Sequence, residues 1–155
     1  MNKTEDNLNN CVDGEFISEE KTQSIFGTNM ARASVVQTLF ESEISKDYKP
    51  ENIKNLHFYN KLNKSKQLIA NTILEYALEN IKQIDLDIKK HTSDSNINRI
   101  PKTDLSILRM AISEIHCDID TPVGVIVNES VKLADIFGSD TSKNFINGVL
   151  NSMVR

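Results

Sequence analysis

The strongest constraint in this sequence is a spacing. From Met30 onward, apolar side chains return every three or four positions: Ala33, Val36, Leu39, Phe40 and Ile44, then Leu105, Leu108, Ala111, Ile112 and Ile115. Ile126, Val127, Val131, Ala134 and Phe137 continue it, as do Phe145, Ile146, Val149, Leu150 and Met153. Such a period lines one face of an α-helix. Five Gly and three Pro in 155 residues are too few for the turns of a sandwich or barrel. The expected fold class is therefore all-α, a single compact bundle of about six to seven helices.

Punctuation sets the expected boundaries. Thr28 or Asn29 caps the first helix, which stops before Pro50 because a residue preceding proline is pushed out of helical conformation. Glu51–Asn63 reads as one short helix. Lys66–Lys90 reads as one long helix of roughly 35 Å at 1.5 Å per residue. His91–Asn98 is a polar loop, and Pro101 falls in the first turn of the helix after it. Thr121 caps the next helix with Pro122 as its first residue, and Gly138 ends it in the left-handed conformation. Gly148 lies inside the last helix at a cost of about 1 kcal/mol against Ala, which points to close approach by a neighbour or a ligand.

Residues 1–27 carry Glu5, Asp6, Asp13, Glu15, Glu19 and Glu20 against Lys3 and Lys21, and show no helical period. They read as a flexible acidic extension before a single helical domain, residues 28–155. The chain's formal charge of −4 lowers the expectation of tight, unaided nucleic-acid binding, which draws its free energy from phosphate neutralisation. No signal peptide and no run of about 18 apolar residues is visible, so a cytoplasmic protein with free thiols is expected and no membrane partner.

Catalytic patterns are thin. His57, His91 and His116 share no ligand spacing, and there is no CxxC, so no metal site and no cofactor is expected. His116-Cys117-Asp118 places a thiol beside an imidazole. Its plainer reading is a histidine at a helix C-terminus followed by turn residues. Asp85 and Asp87 point to different helix faces and read as solvated charges. The stretch Gly138-Ser139-Asp140-Thr141-Ser142 could hold an anion at a helix start, but residue chemistry favours ordinary capping. No nucleotide-binding or nucleophile-elbow motif is present, and no catalytic residue is assigned.

Three segments go further. IPKTDLSILRMAISEI, VIVNESVKLADIFG and SxxFINGVLNS, in that order, resemble the ILRxAxYEL, INEAVELAKxFG and FVNGVLD helices of the bacterial transcription antitermination factor NusB family. ARASVVQTLFESEIS, Ala31 to Ser45, resembles that family's first helix. The likeness covers about residues 30–155 and is strongest from Ile100. It implies an all-helical fold of two helical subdomains and a non-enzymatic role in ribosomal RNA transcription. The implied partners are boxA RNA, the ribosomal small-subunit protein NusE and the RNA polymerase antitermination complex, with a homodimer also within the family's range.

Carried over position by position, the resemblance implies RNA contacts at Thr28, Asn29, Met30, Arg32, Thr141 and Phe145, and partner binding at Asp104. Gly27-Thr28-Asn29-Met30 stands where the family carries a basic run, so RNA binding is expected to be weak alone and tighter with the partner. Phe40 replaces a usual Tyr, and Ser113-Glu114-Ile115 stands for the family's YEL. Two other readings share the fold: a helical protein–protein module with little RNA binding, and a stand-alone relative of the N-terminal domain of ribosomal RNA cytosine methyltransferases.

Overall fold

Residues 31–40 and 103–114 are each buried without interruption, a condition a helix meets only at the centre of a bundle. They belong to α1 (Thr28–Ser45) and α5 (Lys102–His116), which pack on one another. The structure, a computed structural model, describes residues 11–12, 15–16, 28–94 and 96–155. The other α-helices among these are α2 (His57–Asn60), α3 (Lys64–Glu79), α4 (Ile81–Lys90), α6 (Val123–Phe137) and α7 (Ser142–Met153). Most of the acidic extension lies outside the described residues. Within it, β1 (Cys11–Val12) and β2 (Glu15–Phe16) form a two-residue antiparallel ladder with Cys11 opposite Phe16.

Helices α2 and α3 pack on α1, while α6 and α7 pack on each other and on α5. One core runs through both sets and includes Leu39, Ile73, Leu74, Leu108, Met110, Ile126, Leu133 and Ile146. Four of the small polar residues within the two central helices turn back on their own backbone. Ser34, Thr38, Ser106 and Ser113 each donate to the carbonyl four residues earlier, at 3.0, 2.8, 2.7 and 2.6 Å. Hydroxyls satisfied in this way can be buried without a partner from another helix.

Several boundaries differ from expectation. The long helix is two helices, broken at Asn80 (φ −118°, ψ 19°). Its backbone N–H and its side-chain Nδ2 both donate to the Tyr76 carbonyl, at 3.0 and 2.9 Å, and this side-chain competition closes the helix there. The expected short helix is a 3-10 segment, Pro50–Asn55, and the four residues of α2, separated by extended Leu56. Pro122 occupies the N-cap of α6 and Thr121 does not cap it.

Both glycine expectations need correcting. Gly138 is extended (φ −91°, ψ −171°) rather than left-handed. Space, not φ, demands glycine here: an added Cβ would fall on the Ser142 side chain and 2.7 Å from the Ala134 carbonyl oxygen. At Gly148 an added Cβ would meet nothing within 4 Å, so no close helix approach explains it.

Candidate nucleic-acid interface

Two ion-pair systems fix how the helices meet. In the first, Arg32 Nε and Nη2 donate to Glu114 Oε2 and Oε1, at 2.7 and 2.8 Å. Arg32 is 3% exposed and Glu114 is 0% exposed. The planar guanidinium fork matches a carboxylate edge to edge, so both charges are answered without water. The pair fastens the first turns of α1 to the last turns of α5.

The second system centres on Arg109. Its Nε and Nη2 grip Asp85 Oδ1 and Oδ2 at 2.9 and 2.8 Å, and its Nη1 donates to Glu43 Oε2 at 2.8 Å. Tyr48 Oη adds a hydrogen bond to the same Glu43 oxygen at 3.0 Å. Burial pushes the Glu43 carboxyl upward, but the hydrogen bond and charge of Arg109 outweigh it and hold it at about 2. Asp85 is thus a structural anchor joining α4 to α5, not the solvated charge its sequence neighbourhood suggested. Because Arg32 meets Glu114 and Glu43 meets Arg109, α1 and α5 run in opposite senses.

A cleft of about 320 Å³ opens at the start of α5. Thr92, Ser93 and Asp94 line it from the loop after α4, and Arg99, Ile100, Pro101 and Asp104 from the approach to α5 and its first turn. Thr141 and Phe145 close it from the start of α7. Thr141 is exposed, Phe145 is half-buried with part of its ring on the core, and Asp104 is 3% exposed. Arg99 Nη1 meets Asp94 Oδ2 at 3.3 Å on the open side.

The lining has a definite chemistry. An aromatic face, a guanidinium, several hydroxyls and two carboxylates suit an unstacked base or a polar peptide segment. With Arg99 answered by Asp94, the cleft carries no surplus positive charge for a phosphate. Single-stranded RNA is commonly held through such stacking and base-edge contacts, with phosphates neutralised nearby.

The residues expected from sequence therefore divide. Thr141, Phe145 and Asp104 share one cleft. Thr28, Asn29 and Met30 begin α1, whose Arg32 is tied to Glu114, ten residues or about 15 Å along α5 from Asp104. Asn29 is buried, and Met30 is half-buried against the core. Arg32 is turned inward, so its guanidinium is committed to Glu114 rather than presented to a phosphate. Thr92, Ser93, Asp94, Arg99, Ile100 and Pro101 were not foreseen. Their only signal was a polar loop followed by Arg99-Ile100-Pro101.

The His116-Cys117 pair offers no activated nucleophile. Burial pushes the Cys117 thiol upward, its Sγ rests 3.6 Å from the Glu114 carbonyl oxygen, and the His116 ring stacks on Tyr76. Among the described residues no group of His, Cys, Asp or Glu is arranged to hold a metal ion. No described helix is long and apolar enough to cross a membrane.

The family model described as the NusB family matches residues 29–155. This chain belongs to the NusB family. A NusB relative from Alkaliphilus oremlandii, a transcription antitermination protein, is 34% identical over 125 residues, covering 81% of this chain and 91% of the relative. The NusB of Finegoldia magna is also 34% identical over the same length. Among solved structures, T. maritima NusB superposes with a TM-score of 0.74 at 26% identity, covering 83% of this chain and 90% of that one. A chain from a crystal structure of NusB and NusE in complex with dsRNA shares the fold with a TM-score of 0.71 at 21% identity, over 88% of this chain and 97% of that one.

Proposed function

We propose that this protein is a non-catalytic RNA-binding adaptor of cytoplasmic transcription antitermination. It takes a boxA-type single-stranded RNA segment together with a NusE-type ribosomal protein, and that pair joins the antiterminating RNA polymerase complex. The observation that carries this reading is the cleft in which Asp104, Thr141 and Phe145 meet. Membership of the NusB family and the relatives named as transcription antitermination proteins support it.

The roles follow from the chemistry. Phe145 stacks a base, and Thr141 offers a hydroxyl to RNA at the start of α7. Thr28, Asn29 and Met30 border the strand at the start of α1, and Asp104 answers the protein partner. Arg32 acts through Glu114 by holding α1 in place. Since that leaves the start of α1 without a free cation, binding is weak alone and cooperative with the partner.

The test is a gel shift with boxA RNA and a scrambled control, with and without the NusE-type protein, at several salt concentrations. The expected result is clear preference for boxA once the partner is present, with affinity reduced about fivefold to hundredfold by Phe145→Ala, since stacking one base contributes about 1–3 kcal/mol. If the mixture binds scrambled RNA equally well, the adaptor reading is wrong. The lack of free positive charge at the start of α1 favours a protein-only module as the second reading, and that outcome would select it.

A further inference from the structure

Charge is distributed unevenly along this chain. Of its 18 Lys and Arg and 22 Asp and Glu, residues 1–27 hold two and six, which leaves 16 of each sign in residues 28–155. Yet residues 46–66 hold six lysines against only Asp47 and Glu51. The helical domain is neutral as a whole and sharply positive at one corner.

That corner is a built surface. Ile53, Leu56, Phe58 and Tyr59 face the core. Asn60 Nδ2 donates to the carbonyls of Lys54 and Leu56 at 2.8 and 3.0 Å, Gln67 Nε2 donates to the Tyr59 carbonyl at 3.1 Å, and Asn63 Oδ1 caps α3 by accepting from Lys66 N–H at 2.9 Å. With the apolar side chains inward, Lys49, Lys54, Lys61 and Lys64 are left exposed, and none of the four is in an ion pair among the described residues.

The expected RNA-facing positions lack such charge. Thr28, Asn29, Met30, Thr141 and Phe145 are neutral, Arg32 is spent on Glu114, and Arg99 sits 3.3 Å from Asp94. An RNA strand needs cations for its phosphates, because releasing their counterions supplies most of the sequence-independent affinity. We propose that the connection between α1 and α3, through Lys49, Lys54, Lys61 and Lys64, is a second RNA-contacting surface that takes the phosphate backbone of single-stranded RNA flanking the segment held at the cleft.

Placement agrees with this. The last turn of α1 meets Arg109 through Glu43, and Arg109 is five residues, about 8 Å, along α5 from Asp104 in the cleft. The composition selects the ligand. Lysine is a point-charge binder of phosphate, whereas protein interfaces are depleted in lysine and built on aromatic and arginine anchors. Tyr48 is the one large apolar side chain counted as exposed on this segment, at 37%.

The inference rests on the RNA-binding role proposed above, and the experiment separates the two. Affinity and salt slope are measured, with the NusE-type partner present, for a boxA oligonucleotide and for the same element with about fifteen flanking nucleotides of unstructured sequence. The full chain is compared with Lys54→Gln/Lys61→Gln/Lys64→Gln, whose folding is checked by circular dichroism. The wild type should bind the longer RNA more tightly. The triple variant should lose that advantage, with the salt slope on the longer RNA falling by about 2 and affinity at 100 mM salt falling roughly tenfold to hundredfold, at about 0.7 of slope per phosphate contact. Binding of the short RNA should be unchanged.

If the variant binds the longer RNA with unchanged slope, the lysine surface is not an RNA contact, while the adaptor reading stands on the short RNA. If the short RNA shows no preference over a scrambled one, both fall. The acidic extension is the competing occupant. Should the effect of the lysine substitutions disappear once residues 1–27 are deleted, the lysines serve that segment and the proposal is overturned.

Discussion

Replacing Arg32 by Met tests the fold and the functional assignment together. The change keeps an aliphatic stem of similar length but removes two charge-assisted hydrogen bonds of 2.7 and 2.8 Å. It leaves the Glu114 carboxylate, 0% exposed, without its counter-charge. Breaking a buried ion pair from one side costs about 3–5 kcal/mol, because the remaining charge is neither solvated nor paired. That is a large share of the roughly 5–15 kcal/mol that holds a domain folded. At about 2–4 °C per kcal/mol for a chain of this size, the midpoint should fall by about 6–20 °C.

The companion variant is Arg32→Met/Glu114→Leu. Replacing both charges by apolar groups of similar volume removes the stranded carboxylate and should return stability to within about 1.5 kcal/mol of wild type. Urea denaturation followed by circular dichroism measures both variants, and a boxA gel shift with the partner protein follows each. If Arg32 acts only by holding α1 on α5, the double variant binds RNA as the wild type does while the single variant is impaired. A stable double variant that no longer binds RNA would return Arg32 to the RNA surface. A loss below about 1 kcal/mol in Arg32→Met would refute the buried-pair argument itself.

The two glycines make opposite predictions. Gly138→Ala drives a methyl group into Ser142 and toward the Ala134 carbonyl, so a loss of about 1–3 kcal/mol is expected in urea midpoints. Gly148→Ala adds a methyl group into open space on a helix and should stabilise by about 0.5–1 kcal/mol. The pH dependence follows from Glu43, whose carboxyl is held at about 2 in the fold against an ordinary 4.5. A depressed carboxylate contributes stability that is complete above about pH 4.5 and is lost as pH falls toward 2. Glu43→Gln should therefore flatten the stability profile between those limits, and an unchanged slope would show that Arg109 does not act through Glu43. Arg109→Met removes the guanidinium that Glu43 and Asp85 share, and a loss of about 3 kcal/mol is expected in urea midpoints.

What the sequence made legible was what depends on spacing along one helix. The helices α1, α5, α6 and α7 stand where their apolar spacing put them. Ile44 of the α1 stripe is nevertheless 57% exposed, and residues 31–40 and 103–114 are buried all round rather than on one face. The break at Asn80 was not legible, because the stripe from Leu68 to Ile88 continues across it, and only the side-chain bond to the Tyr76 carbonyl reveals the stop. Ion-pair partners far apart in sequence were equally hidden. Nothing local to Arg32 announces Glu114, and nothing local to Asp85 announces Arg109. The same blindness affected the glycines, since a sequence records that Cβ is missing without saying whether φ, a neighbour or nothing at all requires it.

That pattern bears on how the site is read. A family alignment carries a residue's position, and position was enough to bring Asp104, Thr141 and Phe145 to one cleft. Charge does not transfer in the same way, because a cation's use depends on which carboxylates the fold places beside it. Here the cation at the start of α1 is consumed internally, and the cation in the cleft faces Asp94. A chain that keeps the cleft and still binds RNA must neutralise phosphate elsewhere, and the unpaired lysines between α1 and α3 are one concentration of charge the described residues offer. Position and charge can therefore be tested apart: Phe145→Ala should weaken binding with little change in salt slope, and the lysine substitutions should weaken it by lowering the slope.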